Sequence, residues 1–264
     1  MKAPAALLLI LTASSSSAAE GAEHVLAHTE TLPYFLMLLA SFFILQTIRI
    51  KKIKIREIPA VRAMEEAVGR STEMGKPVLF ITGLKPIPAV SAIAAVNILG
   101  EVASVCASYN TPIVSPHSNS FTMLAAQEEI REAFQKKNNF ELINSSRIFF
   151  VTDSQFPFAA SVNSITNELK PSAIFYMGTF YAESLILTEY GQSQGAVQIA
   201  GTDSVAQMPF FITSCDYLLL GEEFFTASAI IKNDEKELRT IAALDAAKIV
   251  TMVLLVYSFA RSFL

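Results

Sequence analysis

Residues 173–200 read AIFYMGTFYAESLILTEYGQSQGAVQIA. Ala173–Met177 is continuously apolar and rich in aromatic and β-branched residues, the composition of a strand buried on both faces. Gly178-Thr179 breaks the run, 180–190 reads as a helix stopped by Gly191, and 196–200 (AVQIA) is a second apolar strand. Strand, helix and strand in so short a stretch make a βαβ unit, whose two strands are parallel and whose crossover is right-handed.

The same alternation extends in both directions. Upstream, Ile58-Pro59 opens a helix with proline in its first turn, Val61, Met64 and Val68 on one stripe and Gly75 as its stop. Strands follow at 77–82, 112–115 and 147–152, separated by helices at 88–107, 120–137 and 155–169. Downstream, a helix at 204–214, a strand at 217–220 (YLLL) and a helix at 222–231 complete the series. About six apolar strands alternating with helices predict a doubly wound, three-layer, Rossmann-like α/β domain over 57–240, with mainly parallel strands.

The composition asks for more than this domain. The chain has 264 residues, 52% hydrophobic and only 17% charged, with a mean hydropathy of +0.42. A soluble domain carries about 25% charged residues, so disorder is excluded and an ordinary soluble enzyme is disfavoured. The excess apolar residues lie at the ends. Lys2, the run 5–13 and Ser17-Ala18-Ala19 read as a signal peptide over 1–19. A polar linker at 20–31 holds His24 and His28, with nothing nearby to complete a metal site. Residues 32–50 are long enough to span a bilayer. Arg49, Lys51, Lys52, Lys54 and Arg56 crowd its end and the basic segment 51–56, which places that side in the cytoplasm. A second span is expected at 241–264, with Asp245 and Lys248 paired at its entry; a buried or interfacial helix is the competing reading. The address is then the inner (cytoplasmic) membrane, with the lipid bilayer as one partner and the domain facing the cytoplasm.

Charge divides along the same lines. Residues 57–240 hold 12 Lys/Arg against 20 Asp/Glu, a net of −8, whereas the whole chain is −4. An acidic domain excludes nucleic acid as a partner and should be held off an anionic leaflet rather than lie on it. The chain has two cysteines: Cys106 lies among core residues, and Cys215 has no CxxC or histidine partner. Paired phenylalanines (149–150, 210–211, 224–225) suit a core or an oligomer surface, and a homo-oligomer is expected.

In a sheet of this kind, ligands bind beyond the carboxyl ends of the strands. Those ends hold Gly83, His117, Gly178, Gly201-Thr202-Asp203-Ser204 and Gly221. Glycine there permits close approach to a small-molecule ligand, although every strand-to-helix turn also needs small and capping residues. The segment 198–204 (QIAGTDS) reads as a glycine turn feeding a helix N-terminus that suits an anion, against which Asp203 would act. Gly83-Leu84-Lys85 lacks the Walker spacing, and no G-x-G-x-x-G follows any strand. A common nucleotide fingerprint is therefore absent, and these motifs leave the cofactor unknown.

Three carboxylates carry the enzymatic alternative. Glu183, Glu222 and Glu223 open the helices after Gly178 and Gly221, and Asp153 and Asp203 lie at comparable positions. Brought together, they would form an acid/base pair or hold Mg²⁺ in a membrane-bound hydrolase or transferase. The competing reading is acidic residues matched to helix dipoles. His117, the only histidine of the domain, is a candidate general base or an incidental loop residue.

The segments 60–77 (AVRAMEEAVGRSTEMGKP), 177–187 (MGTFYAESLIL), 195–202 (GAVQIAGT) and 209–227 (PFFITSCDYLLLGEEFFTA) resemble a domain-of-unknown-function family of bacterial and archaeal membrane proteins. The resemblance covers most of 57–260. It implies a membrane-anchored α/β domain and no particular activity. It makes Glu183, Gln198, Gly201, Thr202, Asp216, Gly221, Glu222 and Glu223 the first residues to test. The reading is therefore a membrane-anchored module that binds a small ligand or self-assembles as a scaffold or sensor, with the carboxylate enzyme as the alternative.

Overall fold

The computed structural model describes residues 58–232, together with 240, 244–245, 247–249 and 251–252. The chain divides into two compact units, Lys54–Leu238 and the combination of Met1–Ile53 with Arg239–Leu264. The signal, linker, first span and basic segment expected at 1–56 lie outside the described residues, as does most of 241–264. In that last stretch the described residues are helical, and Lys248 Nζ lies 3.6 Å from Asp245 Oδ1.

Six strands form one sheet: β1 (Val78–Thr82), β2 (Ile113–His117), β3 (Arg147–Phe150), β4 (Ala173–Met177), β5 (Val197–Thr202) and β6 (Tyr217–Leu220). Every pairing is parallel and the spatial order is β3-β2-β1-β4-β5-β6. This is the doubly wound Rossmann order. Strands β1, β2 and β4 are buried at every residue, while the edge strands β3 and β6 are partly exposed.

Helices α1 (Pro59–Glu73), α2 (Val90–Tyr109), α3 (Ser120–Lys136) and α8 (Glu222–Lys232) cover one face, where Val78, Phe80, Phe175 and Met177 meet Ala95, Leu99, Val102 and Phe224. Helices α5 (Gln155–Leu169), α6 (Glu183–Ser193) and α7 (Met208–Ser214) cover the other, where Leu79, Ile81 and Tyr176 meet Phe158, Val162, Leu187 and Phe211. Burying each large side chain contributes about 1.5–3 kcal/mol. A five-residue helix, α4 (Glu141–Ser145), precedes β3. Among the described residues, α2 is the helix long and apolar enough to cross a membrane. Its Ile98, Leu99, Val102 and Ala103 are fully buried, so it is the central helix of the domain core.

Local chemistry sets the element ends. Asn119 caps α3, its Oδ1 accepting from the N–H groups of Phe121 (3.0 Å) and Thr122 (3.2 Å). Asn110 and Lys170 end α2 and α5 in the left-handed conformation, and Gly75 turns the chain after α1 at φ 62°. Several boundaries differ from expectation, most of all around α6, β5 and α7. Helix α6 starts at Glu183 and runs through Gly191, and β5 continues through Gly201 to Thr202, so α7 begins only at Met208, beside Pro209.

Candidate functional site

The strand order reverses between β1 and β4, so the switch point lies between Thr82-Gly83 and Gly178-Thr179. The backbone there is zipped. Gly83 N donates to Met177 O (2.8 Å) and Leu84 N to Thr179 O (2.9 Å), which continues the β1–β4 ladder past both strands. A Cβ at Gly83 would lie 2.5 Å from Thr179 N and 2.9 Å from Gly178 C. Gly178 takes φ 123°, which L side chains rarely adopt, and its N–H donates to Gly201 O at 2.8 Å. Glycine at these positions lets one backbone approach another.

The other strand-end glycines are likewise committed. Gly221 N donates to Thr202 O (2.8 Å) from a turn with φ 58°. Gly201 is a buried residue of β5; a Cβ there would lie 2.6 Å from Phe224 and 2.7 Å from Met177 Sδ. The expected glycine turn into an anion-binding helix is therefore a strand residue packed under α8, and the helix starts seven residues later. Thr202 Oγ1 accepts from Ser204 N (3.1 Å), forming a local turn.

A chain of side chains crosses the switch point. Thr179 Oγ1 donates to Asp203 Oδ1 (2.6 Å), which leaves Ser91 Oγ as donor to Thr179 Oγ1 (2.7 Å). This ties the start of α2 to the loops after β4 and β5. Ser91 and Thr179 carry no sequence signal for the role, because only the strand order brings them together.

His117 is the last residue of β2 and is fully buried, not on a loop. Ser115 Oγ donates to Phe80 O (2.8 Å), so at 3.0 Å it accepts from His117 Nε2. Nδ1 then accepts from Thr82 Oγ1 (2.8 Å). Burial pulls the imidazole down to about pKa 4 and favours the neutral ring. Both ring nitrogens are engaged within the sheet, which takes the ring away from general-base work.

The three glutamates do not converge. Glu183 is buried in the first turn of α6, where Oε1 accepts from Tyr181 N (2.9 Å) and Oε2 from Gln155 Nε2 (2.6 Å). Glu222 and Glu223 are exposed at the start of α8, which covers the opposite face of the sheet. Asp153 is exposed after β3. Among the described residues no group of three His, Cys, Asp or Glu side chains is placed to hold a metal ion.

Gln198 and Asp216 sit at the amino ends of β5 and β6, across the sheet from the switch point. Gln198 Oε1 accepts from Tyr176 OH (3.0 Å), Nε2 donates to Ser214 O (2.8 Å), and the backbone N donates to Asp216 Oδ2 (2.8 Å). A Cβ at Gly191 would lie 2.7 Å from Tyr176 OH, so glycine inside α6 makes room for this buried network. Nearby, burial and the Asp216 charge push the Cys215 thiol up to about pKa 12, and burial raises Cys106 further, so neither forms a thiolate near neutral pH.

With this geometry in place, comparison with known proteins assigns the chain. The sequence profile of the domain of unknown function DUF6754 matches residues 23–263. The chain belongs to the DUF6754 family. No curated protein matches it. Among solved structures it is similar to a candidate NADPH:quinone reductase from Mesorhizobium loti, at 11% identity and a TM-score of 0.32. That match covers 72% of this chain and 47% of the other, so the chain spans about half the length of that protein. DUF6754 membership assigns no particular activity, and the segments 60–77, 177–187, 195–202 and 209–227 all lie inside the matched region.

Proposed function

We propose that this DUF6754 chain is a membrane-tethered scaffold, with its α/β domain on the cytoplasmic side and copies of the chain assembling at the inner membrane. One observation carries the choice of scaffold over ligand-binding enzyme. The amides of Gly83, Gly178 and Gly221, which could cradle an anion, are spent on neighbouring strands, and Ser91, Thr179 and Asp203 bond one another. The separation of Glu183 from Glu222 and Glu223 disfavours the carboxylate hydrolase. The tether rests on the apolar run 32–50 and the cations that follow it.

The test uses the full chain in two differently tagged copies, co-expressed and extracted from membranes in mild detergent. Capture of one copy by the other is expected, with a reporter fused after Leu264 reading as periplasmic. Nucleotides and Mg²⁺ should leave the thermal midpoint unchanged. A strictly monomeric chain whose midpoint rises with a nucleotide contradicts the reading, because a ligand that binds only the native state stabilises it.

A further inference from the structure

The sheet ends on one side at β3. Val151 N donates to His117 O (2.9 Å), so by the two-residue period of a strand Arg147 and Phe149 also turn their peptide groups toward β2. The amide and carbonyl groups of Ile148 and Phe150 therefore point away from the sheet, along an open edge. Gln127 Nε2 donates to Ile148 O at 3.2 Å, and that carbonyl keeps a second lone pair. The run Ile148-Phe149-Phe150 is apolar. An apolar strand edge is a template for another strand.

The face of this edge under α3 holds both a recess and a ring to fill one. Ile148 packs against the core beneath α3, and by alternation Phe150 shares its face, 46% exposed. Leu124, Ile130, Ile143 and Ile148 line an open groove of about 420 Å³. Gln127 lies level with Ile148, so Leu124, three residues earlier in α3, lies about 4.5 Å nearer the carboxyl edge. That sets Leu124, 57% exposed, level with Phe149 and Phe150. The charges bordering strand and groove are paired: Arg131 bonds both oxygens of Glu128 (3.0 and 2.7 Å), and Arg147 lies 3.9 Å from Glu168. Copies of a domain of net −8 can therefore meet here without like charges opposed. The opposite edge is guarded, since Glu66, Arg70 and Asp216 line the groove beside β6.

We propose that a second copy of this chain adds its own β3 to this edge, antiparallel and about a two-fold axis at Phe149. The inference rests on the self-assembly proposed above and names its surface. The symmetry of the edge selects the occupant. Ile148 and Phe150 flank Phe149, so Ile148 of each copy stands opposite Phe150 of the other and exchanges both backbone hydrogen bonds with it. This register uses both outward-facing residues of both strands. Residues directly opposite share a face of the sheet, so Phe150 of each copy enters the groove beside Ile148 of the other. Leu124 is covered in the same step. A two-fold contact is closed, so pairing through this edge stops at two copies and builds no open-ended sheet.

Facing antiparallel residues that exchange no hydrogen bonds have Cα atoms about 4.5 Å apart, within disulfide reach. Phe149 faces its own counterpart in this way. Full chain carrying Phe149→Cys, in two differently tagged copies co-expressed in membranes, is treated there with a mild oxidant. A disulfide-linked dimer holding both tags is expected, and adding Phe150→Lys, at an exposed position, should abolish it. Tyr217→Cys, on the β6 edge, and the unmodified chain with Cys106 and Cys215 should run as monomers on denaturing gels. Leu124→Cys, also exposed, joined across the axis by a short bis-maleimide, repeats the measurement should Phe149→Cys fail to fold. Melting by circular dichroism shows which variants are folded. Capture of one tag by the other with no cross-link at 149 or 124 overturns β3 pairing and leaves the scaffold standing. A disulfide that survives Phe150→Lys, or one formed at Tyr217 alone, overturns it as well. A cross-linked species of another mass makes this edge a dock for a different protein and overturns the second copy. Absence of both capture and cross-link removes self-assembly itself.

Discussion

His117 and Glu183 are polar groups whose chemistry is turned inward. His117 is neutral between Ser115 and Thr82, with its pKa lowered by burial to about 4 from the ordinary 6.5. The unfolded chain takes up a proton as pH falls through 6.5, whereas the folded chain resists until about pH 4. Stability present above pH 6.5 is therefore lost progressively down to pH 4, by on the order of 3 kcal/mol at 1.36 kcal/mol per unit. Thermal midpoints measured across that range should fall less steeply in His117→Gln than in the unmodified chain. Glu183 serves as a tie between the starts of α5 and α6 through Gln155. Glu183→Gln keeps one acceptor oxygen for the Tyr181 amide and turns the other into an NH2 donor, which the Gln155 side chain meets by turning its Oε1 inward, and should cost about 1 kcal/mol or less, while Glu183→Ala strands the Tyr181 amide and Gln155 and should cost about 1–3 kcal/mol. Denaturant midpoints of the two variants read the difference.

At the level of elements, glycines with the same expected freedom do opposite things. Gly83 has a neighbouring backbone within contact distance of any Cβ, whereas nothing lies within 4 Å of one at Gly69 inside α1. Gly83→Ala should destabilise by about 1–3 kcal/mol or more through overpacking, and Gly69→Ala should stabilise by about 0.5–1 kcal/mol through helix propensity. Melting curves with shifts of the same sign would contradict this. The fold is legible because strands covered on both faces are mostly apolar: VLFIT and AIFYM mark the fully buried β1 and β4, and YLLL the edge strand β6. The boundaries at Gly191 and Gly201 were not legible, because each glycine answers a partner distant in sequence, Tyr176 and Phe224 respectively. The candidate site was legible only as a place. That Gly83, Gly178 and Gly221 lie at strand ends follows from the pattern, but that their amides face neighbouring strands depends on the order β1-β4-β5-β6. His117 misled for the same reason, since its partners Ser115 and Thr82 lie on two adjacent strands.

At the scale of the molecule, the division of apolar residues and of charge describes one arrangement. The apolar excess falls to the ends and to a covered sheet, and the −8 domain follows a basic stalk. A switch point closed by its own backbone hydrogen bonds fits the scaffold reading, with the sheet as its rigid support. The central claim is that closure, and amide hydrogen exchange of the full chain in phospholipid nanodiscs measures it most directly. Gly83, Leu84 and Gly178 should exchange as slowly as the buried amides of β1 and β4, with no change on adding nucleotide and Mg²⁺. Rapid exchange at these three amides, slowed when a nucleotide is added, would show an open crevice and contradict the account.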